Sequence, residues 1–240
     1  MEAAARWERE HNGKRIHRSV RKKRDPYDGL RPWSAITHGL GAVLALIGTA
    51  LLLGKTFANG GGTDRVISFL IYGGSMVCLY TASTLYHCVN TTPAGRIALR
   101  KYDHISIFLL IAGTYTPVCV NALRGTVGWT LLGCIWGLTV LGTIMTLFWI
   151  NCPRVLSSGV YIVMGWLALA AIHPIRREVG AEGLFWLLLG GVLYTLGGVL
   201  YACKWPGRNN PRFGCHEIFH VLILLGSLAH YLLMYRLFAG

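Results

Sequence analysis

Charge is what this sequence has least of. Only 14% of its 240 residues are charged, and Asp and Glu number 10 against 23 Lys and Arg. Soluble domains carry about 25% charged residues, so a large water-soluble core is excluded. Cysteine offers no framework either: the 7 cysteines form no Cys-x-x-Cys pair, and the count is odd. Most lie within or beside apolar runs and read as small packing residues. No low-complexity tract, soluble-domain linker or internal repeat interrupts the chain. What remains is apolar: 53% of residues are hydrophobic. The class is all-α, a polytopic membrane protein.

Seven apolar stretches are long enough to cross the hydrocarbon as helices, at about 33–57, 65–88, 102–122, 126–149, 155–173, 183–203 and 216–238. The breaks between them carry Gly, Pro, Asn and charge. The first run is too long for a signal-peptide core and lacks a small-residue cleavage site, so it reads as a retained span. Residues 1–31 form a basic tail, ending near Arg21-Lys22-Lys23-Arg24, with no folded-domain pattern. A disordered tail held near anionic lipid is expected there, followed by one transmembrane domain over 32–240.

The net charge of +13 points to basic loops on the cytoplasmic face rather than to nucleic acid. With the N-terminus inside, the inner segments hold 17 Lys and Arg and the outer ones 6, which together make the 23 in the chain. The asymmetry predicts a cytoplasmic N-terminus, an outside C-terminus and a multi-pass protein of the plasma (inner) membrane. Thirty glycines suit close helix packing in lipid; Gly190-Gly191 and Gly197-Gly198 recur seven apart and are expected on one face.

Polar residues within the spans are the candidate site. His216 and His220 are four apart and share one face of the seventh span. Two imidazoles so placed can reach one metal ion. Ser83 and His87 are likewise four apart at the end of the second span, and Asp103 opens the third. These segments meet at one leaflet whichever way the protein is inserted, and the basic asymmetry makes it the inner one. Three histidines with an open fourth position is the donor set of a catalytic zinc site. Asp103 then serves as a base that orients water, and Ser83 as a hydrogen-bond donor to a developing oxyanion. The alternatives are an interfacial ion pair of Asp103 with Lys101 and a Ser83 hydroxyl bonded to its own helix. His38 is a possible cavity-lining residue, with a structural hydrogen bond as the favoured role. His104 lies about 100° round the helix from Asp103 and is expected off the ligand face. His173 and His230 lie towards the opposite leaflet. Thr114-Tyr115-Thr116-Pro117 reads as a proline kink whose hydroxyls satisfy freed carbonyls.

At these residues the sequence resembles the bacterial haemolysin III-like members of the progestin and adipoQ receptor family. The matching pieces are Thr37-His38-Gly39, Ser83-x-x-x-His87, Asp103-His104, Ala112-Gly113-Thr114-Tyr115-Thr116-Pro117, Tyr161-x-x-Met164-Gly165-Trp166 and His216-x-x-x-His220, over about residues 31–238. The resemblance implies a seven-transmembrane helix bundle with an intracellular N-terminus. It also implies zinc on His87, His216 and His220, with Asp103 and Ser83 beside its open position. The wider superfamily includes alkaline ceramidases, so a membrane-lipid amide or ester is the implied substrate, either hydrolysed or sensed. A regulator with structural zinc and a cytolytic protein are the alternatives; oligomeric state is not readable. The sequence departs from the family at Arg31 and Ser34, where Glu and Asn are usual. Glu217 completes a His-Glu-x-x-His string, which raises an intramembrane zinc protease as a rival. It ranks lower because the third ligand is a histidine five spans earlier.

Overall fold

The structure is a computed structural model that describes residues 30–123, 125–207, 210 and 213–238. The basic tail up to residue 29, and with it the expectation of disorder there, lies outside the described residues, as do Arg124, Arg208 and Arg212.

The described residues form helices and no strands. Helix α1 is Pro32–Ala58, α2 Thr63–Cys88 and α3 Pro93–Pro117, which runs on as a wide turn over Val118–Leu123. Then come α4 Gly125–Phe148, α5 Arg154–Trp166, a tight turn Leu167–Ala171, α6 Ile172–Cys203 and α7 Cys215–Leu233. Among the described residues six stretches are long and apolar enough to cross a membrane, the fifth being the whole of Arg154–Cys203.

That stretch is not straight. Gly180 interrupts it at φ 65°, a conformation glycine adopts without cost. The two arms then lie side by side. The indole N–H of Trp166 donates to Thr195 Oγ1 at 2.8 Å, and a Cβ on Gly198 would meet Ile162 at 3.4 Å. The expected loop over 173–182 is therefore mostly helix, with its reversal concentrated at one residue. Helix α3 likewise starts well before residue 102. Pro93 occupies its first turn, and the Thr92 side chain accepts from the Gly95 amide at 3.2 Å. Its polar first turns hid this start from a hydropathy reading.

On α1 burial favours small and polar residues: the inward positions are Ser34, Ala35, His38, Gly41, Ala45, Leu52 and Thr56, whereas Ile36, Leu40, Leu44, Ile47 and Leu51 face outward. Lipid tails are as apolar as leucine, so association relies on small residues and hydrogen bonds. The glycines act accordingly. A Cβ on Gly73 would sit 2.2 Å from Thr49, and one on Gly142 would sit 2.2 Å from the ring of Phe108.

The doublets of α6 split between two neighbours. Gly190 and Gly197 face α7, through His230 and Phe219, while Gly191 and Gly198 face α5, through Trp166 and Ile162. Between α6 and α7 the fit is reciprocal: His230 lies over Gly190, and Tyr194 lies over Gly226. The Tyr194 and His230 rings stack at 5.4 Å. Ser227 Oγ accepts from Tyr80 at 2.6 Å and pairs with Tyr194 OH at 2.8 Å, joining α2, α6 and α7.

The hydroxyls before Pro117 bond the carbonyls of Leu110 and Ala112, each at 2.8 Å. The Tyr115 phenol does something the sequence did not suggest. It donates to Met164 O (3.0 Å) and Gly165 O (2.8 Å) and accepts from Ala168 N (2.8 Å), pinning the turn after α5.

Candidate metal centre and its cavity

His87 arrives from the last turn of α2, and His216 and His220 from the first turns of α7. All three are buried, and their ligand atoms lie within 4.8 Å of one another. His216 Nε2 and His87 Nε2 are 3.1 Å apart. Zinc–nitrogen bonds of about 2.0–2.1 Å in tetrahedral geometry place ligand nitrogens about 3.3 Å apart, so this pair has the right spacing. His220 Nδ1 lies 3.2 Å from Ser34 O. Donation to that carbonyl fixes the tautomer and leaves Nε2 as the lone-pair nitrogen, the arrangement usual for metal-bound imidazole. The donor set fits a divalent cation that accepts three imidazoles.

Glu217 is turned away from this cluster. Its carboxylate takes Arg31 Nη1 at 2.5 Å, the Ser34 hydroxyl at 3.0 Å and the Gly214 amide at 2.9 Å. The glutamate of the His-Glu-x-x-His string therefore caps the Gly214 amide at the start of α7 and pairs with Arg31, which removes the geometric basis for a protease glutamate.

One cavity of about 160 Å³ opens inside the bundle. Its polar end is lined by Ser83, Asp103, His38, His216 and His220, and its walls by residues such as Leu79, Ile107 and Ile111. Ser83 hydrogen-bonds Asp103, and the charges of Arg96 and Arg100 lie near that carboxylate. Lys101 instead donates to Leu147 O at 2.6 Å, so no ion pair with Asp103 is needed to account for it. His38 is 2% exposed, stacks on His220 at 3.7 Å and, among the described residues, has no partner of ordinary hydrogen-bond geometry on either ring nitrogen. It lines the cavity. His104 also lines the cavity and stands outside the metal-ligand group. His230 lines it too, one end of a helix away from His220, and stands outside the metal-ligand group.

Comparison with known proteins gives the family of the chain. A family described as "Haemolysin-III related" matches residues 32–231. The chain belongs to that family. It is 39% identical over 196 residues to the "Hemolysin-3 homolog" of Bacillus subtilis, covering 82% of this chain and 88% of that protein. It is 39% identical over 195 residues to "Hemolysin-3" of Bacillus cereus, covering 81% and 85%. More distantly, it is 29% identical over 214 residues to the "ADIPOR-like receptor IZH2" of Saccharomyces cerevisiae, covering 76% and 64%. It is a multi-pass membrane protein of the haemolysin III and progestin/adipoQ receptor group, with a buried histidine triad able to hold a metal.

Proposed function

We propose that this haemolysin-III family chain is a zinc-dependent hydrolase of membrane-lipid amides or esters, or a lipid sensor derived from one. The observation that carries the reading is that two members of the histidine triad, His216 and His220, line the same largely apolar cavity as Ser83 and Asp103. Zinc held by His87, His216 and His220 supplies Lewis acidity toward a carbonyl or a water molecule. Asp103 Oδ takes the proton from the attacking water and returns it to the leaving amine or alkoxide as the C–N or C–O bond breaks. The Ser83 hydroxyl either holds that carboxylate in place or turns its proton to the oxyanion. The apolar walls take the acyl chain, and a free fatty acid and an amine or alcohol leave.

The reading includes seven passes, because the arms on either side of Gly180 are each long enough to cross. The 17-to-6 basic asymmetry places the N-terminus in the cytoplasm of a plasma-membrane protein and the site in the inner leaflet. A reporter fused after Gly240 is then active only outside; activity confined to the cytoplasm overturns the orientation.

The activity test uses the full chain in lipid nanodiscs with ceramide-like amides and phospholipid esters. Zinc-loaded wild type releases fatty acid, and Asp103→Asn keeps zinc and fold while losing turnover by orders of magnitude. Equal release from both across the panel overturns hydrolysis and leaves a zinc-braced membrane regulator. Dye leakage from sealed liposomes carrying the chain, without fatty-acid release, favours a cytolytic role instead.

A further inference from the structure

Arg31 and Ser34 lie against the histidine cluster and touch two of its members. The Arg31 amide donates to His87 O at 3.0 Å, and Ser34 O faces His220 Nδ1 at 3.2 Å. The Arg31 guanidinium meets Glu217, the residue next to His216, and its charge acts on His87, His216 and His220 alike. A fixed positive charge beside a divalent-cation site disfavours the cation unless an anion answers it. Glu217 is such an anion: its side chain is 2% exposed, that of Arg31 is 10% exposed, and Ser34 and Gly214 hold its oxygens in place.

We propose that Glu217 is a positioning and charge-balancing residue for the metal centre, offsetting Arg31 so that the triad accepts a divalent cation. This rests on the metal-site reading above. Arg31 and Ser34 thereby form, from α1, the outer wall of a site whose ligands come from α2 and α7. Removing the Glu217 charge raises the net charge beside the cation by one unit, whatever else the guanidinium touches. Groups that orient metal ligands typically change affinity about 10- to 100-fold when altered.

The test measures zinc affinity of the full chain in nanodiscs by chelator competition, with the Co²⁺ visible spectrum as a second readout. Glu217→Gln keeps the shape and weakens zinc by about 10- to 100-fold. Arg31→Gln binds at least as tightly as wild type. The double variant returns to within about threefold of wild type and restores the tetrahedral Co²⁺ bands. A merely structural brace behaves differently: both single variants weaken the site and the double variant is no better. That pattern, or Glu217→Gln equal to wild type, overturns the proposal. Should Glu217→Gln fail to fold, Arg31→Gln decides alone, and a tenfold loss in it overturns the proposal. Wild type that binds no zinc overturns the metal-site reading and this one with it.

Discussion

Gly190→Ala tests the reciprocal fit of α6 and α7. The added Cβ would lie 2.3 Å from His230 Nε2 and 2.4 Å from its Cδ2. Carbon contacts settle near 3.5–4.0 Å, so the ring must move by about 1 Å or the helices must part. The ring has little room. It is 5% exposed and stacked on Tyr194, whose hydroxyl is tied to Ser227. Overpacking of this kind costs about 1–3 kcal/mol. For a chain of this length about 2 kcal/mol corresponds to a drop of about 4–8 °C in Tm. Tryptophan-fluorescence size exclusion after heating, in detergent, reads the shift. Gly133→Ala is the control, since nothing lies within 4 Å of its added carbon, and no loss is expected there. Adding Gly190→Ala to a His230→Ala background is expected to cost almost nothing, because the clashing ring is gone. Gly190→Ala as stable as wild type, or equally harmful with and without His230, refutes the reasoning.

Ser227→Ala strands the Tyr80 and Tyr194 hydroxyls together; loss of about 1–3 kcal/mol is expected in the same melt, with Tyr80→Phe closer to neutral. Tyr115→Phe frees the turn after α5 from its three hydrogen bonds, and faster proteolysis near residues 167–171 is the expected sign. Ser83→Ala is expected to retain zinc and lower turnover on the lipid panel less than Asp103→Asn does, since the carboxylate remains.

The meeting of the triad was legible because it rests on local spacing. Four-residue spacing puts His216 above His220, and the end of α2 lies beside the start of α7. The apolar runs were legible for the same reason, since length and hydropathy are local. Partners far apart in the chain were not. Glu217 reads as a catalytic string until Arg31, 186 residues away, is found on it. The Gly190 and Gly191 doublet looks like one seam, yet adjacent residues on a helix diverge by about 100°, so each serves a different neighbour. The reversal at Gly180 lay among Arg176, Arg177 and Glu178, whose polarity resembles a loop although the backbone is helical up to it.

Metal content of the purified full chain tests the central claim most directly. The account predicts near-stoichiometric zinc in wild type and in His230→Ala, and its loss in His87→Ala, His216→Ala and His220→Ala alike. Zinc that stays near stoichiometric in His87→Ala, or is absent from wild type after loading, contradicts it.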